Sequence, residues 1–401
     1  MIARNPNILW VVTTQWRAQA LGFAGDRNAS TPHLDRFARE AAVFSQATTP
    51  HPFGPFARAA MITGLTSPQN GVRDYFDPLP RGSRTVAHLL ADLGYQTSYF
   101  GKWHLGSRDP LAPLVGEAHA RTVVPEDMRG GFGFWEGFES GFLLNDPWLH
   151  GSRLPDPVLV PGYQSDILCS RAGVHVQGLK GPWFCVVSLE APHPPYAAPA
   201  AGIRPRPPEA LQLRGNVPDD PAVVLKARRE LSGYYAHLEA TDRAIGALIS
   251  AVGPKTAVVV TSVHGDMHGS HGLFRKGWPH EESVRIPLMI RAPGASGSRG
   301  HAVCLSQLPD ITRSIAVGAF SVPEREDVSL SMPSVVHLPH QCDRAWTGIR
   351  SPREKAIFGD DRAPWLYFDL ENDPLERLNL AGSAAHRERI ARLASRVYGS
   401  G

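Results

Sequence analysis

A chain of 401 residues, of which 42% are hydrophobic, is long enough to bury a large core as one α/β domain with an appendage or as two domains. Its formal net charge of +3 gives no bulk attraction to nucleic acid or to a membrane surface, so neither is predicted as a partner. The apolar run over residues 8–12 is too short for a signal-peptide core or a membrane span, and a cytoplasmic protein is expected.

The first half of the chain alternates apolar runs with helical patterns, which predicts a mostly parallel sheet covered on both faces. Residues 8–12 form the first predicted strand, and Thr31 followed by Pro32 starts a short amphipathic helix. A helix over residues 84–93 leads into a strand over residues 96–100, which ends in Gly-Lys-Trp-His. Because ligands of open α/β sheets gather beyond the carboxyl ends of strands, function is expected at this tip.

The second half continues the pattern after a segment without a steady period. Residues 107–160, rich in glycine, proline and aromatic residues, are predicted to be a long insertion over the sheet edge. A strand over residues 183–189, a long helix over residues 222–252 and strands over residues 257–260 and 287–291 follow. We therefore expect an α/β domain over residues 1–320 and a small C-terminal α+β subdomain over residues 321–401.

Several motifs resemble those of one enzyme family. Residues 7–15 end in Thr-Thr-Gln where the family has two aspartates and a glutamine. Residues 52–60 lie where the family has C-x-P-x-R, with Gly54 in place of the Cys, and residues 261–266 resemble its S-D-[NH]-G loop, with Val263 in place of the Asp. Gly-Lys-Trp-His-Leu-Gly at 101–106 and the closing segment at 367–381 extend the similarity along the chain. The sequence resembles the type I sulfatases of the alkaline phosphatase superfamily. That resemblance implies an alkaline-phosphatase-like fold with a large, mostly parallel sheet flanked by helices.

The resemblance also implies that the family's reactive groups are missing. In the family, carboxylates hold a calcium ion while a formylglycine, made from the motif cysteine, attacks the sulfate ester. This chain has Thr13, Thr14 and Val263 at the carboxylate positions, and only His264 matches an accepted ligand type. Because calcium requires several hard oxygen ligands, no metal and no other cofactor is expected. Gly54 stands at the nucleophile position and has no side chain to form an aldehyde or an ester.

The basic half of the family's pocket is retained. The matching positions, together with the loop histidine, are Arg58, Lys102, His104, His193, His264 and Lys276. Lysine and arginine bind tetrahedral oxyanions through charge-assisted hydrogen bonds, and histidine exchanges protons near neutral pH. The predicted ligand is an anionic small molecule that carries a sulfate, phosphate or carboxylate group.

Two functions remain open. The first is a pseudoenzyme that binds an anion or a protein partner, either as a homo-oligomer or paired with an active paralogue. The second is a repurposed, metal-independent enzyme for transfer, hydrolysis or elimination on a sulfated, phosphorylated or carboxylated metabolite. In the second, Thr13 or Thr14 could replace the nucleophile if His104 or His264 activated it. Basic residues converging on an open cavity would favour the enzyme, whereas residues paired with acids or blocked by aromatic rings would favour a non-binding scaffold.

One further motif has two interpretations. His264, His268 and His271 form an H-x3-H-x2-H pattern in a glycine-rich loop, which could bind zinc through imidazole nitrogens. Loop histidines without a helix or cysteine partner are more often solvated or hydrogen-bonded.

Overall fold

The computed structural model describes residues 5–399, so the outer ends of both predicted domains, residues 1–4 and 400–401, lie outside the described residues. The strands are β1 Ile8–Thr13, β2 Ala42–Phe44, β3 Ala47–Thr48, β4 Gln96–Lys102, β5 Phe134–Phe138, β6 Trp148–Gly151, β7 Val158–Leu159, β8 Trp183–Ser188, β9 Ala257–Ser262, β10 Leu288–Arg291, β11 Ser298–Arg299, β12 Val303–Cys304, β13 Val328–Met332, β14 Trp346–Arg350, β15 Glu354–Phe358 and β16 Pro364–Asp369. The α-helices are α1 Pro32–Arg39, α2 Gly54–Thr63, α3 Val86–Ala91, α4 Glu117–Ala120, α5 Gln164–Gln177, α6 Pro221–Val252, α7 Glu281–Val284, α8 Leu308–Ala316 and α9 Arg387–Tyr398.

The centre of the molecule is a ten-stranded sheet in the order β11-β2-β10-β9-β1-β8-β4-β5-β6-β7. Strands β9, β1, β8, β4 and β5 run parallel to their neighbours, and the outer strands add antiparallel pairs such as β10 with β9 and β6 with β5. The predicted mixed α/β architecture with a large, mostly parallel sheet is confirmed.

Both faces of the sheet are covered, because alternate side chains of the central strand enter two separate cores. On β1, Trp10 packs in a core with helices α2, α3 and α8, while Leu9 and Val11 pack in the other core with α1, α5 and α6. A strand buried on both faces reads as a continuous apolar run, which is why residues 8–12 are recognisable in the sequence.

A second, antiparallel sheet of four strands, β13-β14-β15-β16, forms the C-terminal part. Helix α9 packs on one face of it with Ile390 and Leu393, whereas Leu330 and Trp346 join the core of the main sheet. The small sheet is therefore attached to the large one through a shared apolar core.

Two local predictions need correction. The segment 107–160 is not only an insertion over the edge, since β5, β6 and β7 lie within it and extend the main sheet. Thr31 precedes α1 as expected, but its hydroxyl accepts from the Gly22 amide and donates to Asp35 instead of capping the helix amides.

No helix in residues 5–399 is both long and apolar enough to cross a membrane.

Candidate functional site

The carboxyl ends of the parallel strands β9, β1, β8 and β4 meet at one edge of the sheet. Thr14 directly follows β1, Lys102 is the last residue of β4, and His264 lies two residues beyond β9. Glu190 lies two residues beyond β8. The fold therefore assembles most of the predicted residues where ligands of such sheets bind.

The assembled residues surround a very small cavity. Its volume is about 10 Å³, close to the space needed for one water molecule. The lining residues are Thr14, Phe53, Gly54, Tyr75, Lys102, His104, Phe142, His193, His264, Lys276 and Leu338. We call this space the strand-end cavity.

An aromatic ring closes the strand-end cavity from one side. The ring of Phe142 stacks on His193 with centroids 4.4 Å apart and planes at 4°, and its centroid lies 4.5 Å from Lys102 Nζ. Phe142 has a φ of 56°, a left-handed conformation that is uncommon for a bulky residue. The ring thus occupies space directly over two of the predicted anion-binding groups.

Lys102 is paired with an acid. Its ammonium donates to Glu190 Oε1 at 2.8 Å, and both side chains are buried. Burial lowers the pKa of Lys102 to about 8, although the Glu190 charge opposes this shift. Part of the positive charge of the cavity is therefore neutralised within the protein.

Lys276 lies on the opposite side and contacts a histidine. Its ammonium donates to Gln15 Oε1 at 2.6 Å and to His193 Nε2 at 3.1 Å, while His193 Nδ1 donates to the Pro194 carbonyl at 2.7 Å. Burial, followed by repulsion from Lys102, lowers the pKa of Lys276 to about 7. Lys276 is thus balanced between its charged and neutral forms near neutral pH.

Several polar atoms in and around the cavity have no partner among the described residues. Neither ring nitrogen of His104 is hydrogen-bonded, and His264 leaves Nε2 free because its Nδ1 donates to the Gly265 carbonyl. Burial, reinforced by nearby lysine charges, lowers the pKa of both histidines well below the ordinary value, so they are neutral at pH 7. Arg58 does not line the cavity; its guanidinium donates to the Thr14 hydroxyl, and its Nε and Nη1 have no acceptor.

Two other predicted residues lie elsewhere. The Thr13 hydroxyl donates to the Thr261 carbonyl inside the sheet, and Val263 belongs to the apolar core, so neither lines the cavity. Thr14 remains in the lining, and its hydroxyl donates to the Leu189 carbonyl at 2.9 Å.

The histidines of the glycine-rich loop do not converge. His264 faces the strand-end cavity, His268 packs against Tyr234, and His271 stacks on His280. Within residues 5–399, the group of three metal-type ligands that does converge is His271, Glu282 and Glu376. The three loop histidines therefore do not form a common metal site in this structure.

The sequence interpretation missed two residues that control the cavity. Glu190 could have been found, because it follows a strand adjacent to β1 and β4 and so lies at the same sheet edge. Phe142 gave no signal, since it lies in a loop of the aperiodic segment 107–160.

The family model for sulfatases matches residues 6–310, about three quarters of the chain. The chain belongs to the sulfatase family. It is 33% identical to an ulvan-active sulfatase of Formosa agariphila over 94% of this chain and 77% of that protein. The solved structure of the yidJ protein from Bacteroides fragilis matches with a TM-score of 0.85 at 23% identity, covering 98% of this chain and 94% of that one. The phosphonate monoester hydrolase of Agrobacterium radiobacter matches with a TM-score of 0.76 at 18% identity, covering 98% and 94%.

Within the sulfatase family, the resemblance places the nucleophile at Gly54, the first residue of α2. A Cβ atom built on Gly54 would lie 2.8 Å from His104 Nδ1. The imidazole therefore occupies the space that a side chain at this position would need.

Proposed function

We propose that this sulfatase-family protein is a pseudoenzyme that retains a basic pocket for a small oxyanion and does not hydrolyse sulfate esters by formylglycine chemistry. The observation that carries this proposal is the packing at Gly54. The nucleophile position has no side chain, and the His104 ring lies against it. A covalent intermediate cannot form at an atom that the residue lacks.

The donor set supports the same proposal, because it does not fit calcium. Calcium is bound by six to eight oxygen ligands, several of them carboxylates. At the corresponding strand ends, Thr14 has its hydroxyl turned to Leu189, Val263 is apolar core, and the Glu190 carboxylate is bound to Lys102. We therefore assign no step of the function to a calcium ion.

The remaining charge favours an anion of limited size. Lys102 and Lys276 line the cavity, and both ring nitrogens of His104 and Nε2 of His264 have no hydrogen-bond partner among the described residues. At about 10 Å³ the cavity accepts little more than a water-sized group, so a bound sulfate or phosphate requires Phe142 to move aside. The site combines features of both sequence-based alternatives. Its basic residues converge, as expected of an enzyme, but Glu190 and Phe142 block them, as expected of a non-binding scaffold.

A second candidate function is supported by the pair of Lys276 and His193. A lysine with a pKa of about 7 is partly neutral at physiological pH, and a neutral amine 3.1 Å from an imidazole can accept or pass on a proton. This arrangement fits metal-independent transfer, hydrolysis or elimination on a sulfated, phosphorylated or carboxylated metabolite. It would make Lys276 the general base of the repurposed enzyme.

The test is a calorimetric titration with sulfate, phosphate and 4-nitrophenyl sulfate, with and without calcium. The parent protein is compared with Lys102→Ala and with Lys276→Met. The pseudoenzyme predicts calcium-independent binding of the inorganic anions, loss of this binding in both variants and no release of 4-nitrophenol. Because Lys102→Ala leaves Glu190 buried without its partner, circular dichroism must first establish that each variant is folded.

Three outcomes would change the conclusion. Turnover that disappears in Lys276→Met would favour the repurposed enzyme. One tightly bound calcium ion per chain by elemental analysis would contradict the proposed loss of the metal site. Anion binding that is unchanged in both variants would place the ligand outside the strand-end cavity and refute the proposed pocket.

A further inference from the structure

A second cavity lies beside the strand-end cavity and shares no lining residue with it. We call it the Arg17 cavity; its volume is about 300 Å³, and its walls come from the loop after β1, the segment before α6 and the loop after β9. A space of this size is at the lower end of the range for small-molecule sites. Asp266 lies between the two cavities, since it accepts from Gln15 on one side and from the His268 amide on the other.

The central feature of this cavity is a buried guanidinium without a direct ion pair; the acids that favour its charge, Glu282 and Asp266, lie beyond ion-pair distance. Arg17 is 3% exposed, forms no ion pair with any residue between 5 and 399, and has no acceptor for its Nε. Arginine keeps its charge at all physiological pH values. An unpaired charge inside a protein is costly, and natural structures compensate such charges with an opposite charge.

Other buried polar groups of the lining also lack partners. Both ring nitrogens of His268 and the Ser270 hydroxyl have no hydrogen-bond partner in the described part of the chain, at 1% and 0% exposure. Water can satisfy an imidazole or a hydroxyl, but it does not neutralise the charge of Arg17. The three groups together therefore favour an anionic oxygen ligand over water alone.

The remaining charged residues of the lining also favour an anionic ligand. Arg27 and Arg214 add positive charge, and Glu282 pairs with Arg214. Asp26 is the one acidic residue of the lining, and its carboxylate already accepts from the Tyr235 hydroxyl and the Asn28 amide. A negatively charged ligand group thus encounters a surplus of cations at this site.

We propose that the Arg17 cavity is a binding site for a small organic oxyanion, with the anionic group on Arg17, His268 and Ser270. A guanidinium binds carboxylate, sulfate and phosphate groups through two parallel hydrogen bonds. Leu231 and Val217 provide an apolar wall for the carbon part of the ligand. The site does not depend on the strand-end cavity, so it stands or falls independently of the proposed function.

The experiment is a calorimetric titration with glucose 6-sulfate, glucose 6-phosphate and glucuronate, which distinguish the three anionic groups, and with glucose as the neutral control. Arg17→Gln should weaken binding of the preferred anion by about 10- to 100-fold, the usual effect of removing a charged hydrogen-bond partner. Ala24 is an exposed residue of the lining, so the large side chain of Ala24→Trp should obstruct the cavity and also weaken binding. Lys180→Met, at an exposed lysine that lines neither cavity, should leave the affinity unchanged.

Crystals soaked in selenate provide the location directly, because the anomalous signal of selenium should appear beside Arg17. Equal affinity in the parent, Arg17→Gln and Ala24→Trp would overturn the proposal. So would glucose binding as tightly as the anions, or a parent protein that binds none of the three anionic probes.

Discussion

At the scale of single residues, Gly54 and the His104 ring pack directly against each other. The helix α2 begins at Gly54, and the His104 ring fills the volume next to it. His104 itself has a φ of 58°, so its ring direction is set by a left-handed backbone position that tolerates few alternatives. The packing of His104 therefore leaves room for glycine at position 54 and not for a larger residue.

This pairing predicts that a small addition at Gly54 is harmful. In Gly54→Ala the new methyl would lie 2.8 Å from His104 Nδ1, and we expect the free energy of unfolding to fall by about 1–3 kcal/mol, as for overpacked cores. Urea denaturation measures the change. Gly382→Ala is the matched control, because a Cβ there meets no other atom within 4 Å. Equal stability of the two variants would show that the His104 ring does not occupy this space.

A second residue-scale prediction concerns pH. The pKa of Lys276 is lowered to about 7 and that of Lys102 to about 8, mainly by burial. An anion is attracted only by the protonated amines, so the affinity for sulfate should be highest below about pH 7 and fall as the pH rises through 7 and 8. Calorimetry over this range measures it, and Lys276→Met, which should lose sulfate binding in the strand-end cavity at every pH, is the control. An affinity that rises with pH would contradict the assignment.

At the scale of elements, the loop between β5 and β6 controls access to the strand-end cavity. Strand β5 pairs in parallel with β4, which carries Lys102, so the loop that follows it emerges at the same edge of the sheet. The loop then places the Phe142 ring between His193 and Lys102. Closure of the cavity is thus a consequence of the strands that extend the sheet beyond β4.

Removing this ring should open the cavity. Phe142→Ala is expected to increase the affinity for 4-nitrophenyl sulfate by at least about tenfold, because the ring no longer covers two basic groups, at a stability cost of about 3–5 kcal/mol. Titration of the folded variant measures the gain. Phe23→Ala, at a ring that is 41% exposed and outside this cavity, should change neither quantity. Unchanged affinity in Phe142→Ala would mean that the ring does not control access.

At the scale of the whole molecule, a buried ion network joins the two sheets. Glu281 of α7 bonds to Arg350 of β14 and to Lys355 of β15, and Lys355 also pairs with Glu376 beyond β16. Arg350, Lys355 and both glutamates are buried. The small sheet is therefore held by complementary charges as well as by the shared apolar core.

Breaking the network at its centre should be costly. Lys355→Met removes one of the three cationic partners of Glu281, which also pairs with Arg350 and Arg285, and leaves Glu376 with none in the network. We expect the free energy of unfolding to fall by about 3–5 kcal/mol. Lys226→Met is the control, because Lys226 and Glu230 form a partly exposed pair in one helix, worth about 0–1 kcal/mol. Urea denaturation of both variants tests this, and similar small losses would show that the network does not hold the sheets together.

The central sheet and the position of the site at its edge can be predicted from the sequence. Apolar runs such as residues 8–12 are local signals, and strand ends such as Thr14 and Lys102 meet because parallel strands share an edge. The motif resemblance also led to the expectation that Gly54 and Val263 stand where the family has its nucleophile and a metal ligand, since the identity of a residue does not depend on folding.

How far the site is open, and which charges have no partner, depends on the tertiary structure. The closure by Phe142, the pairing of Lys102 with Glu190 and the lack of a direct ion pair at Arg17 are contacts, or missing contacts, between residues far apart in the chain. No local pattern encodes them, because periodicity reports which face of an element is buried and not which partner lies against it. The chemistry of this site therefore depends on packing between loops, and local sequence patterns do not specify that packing.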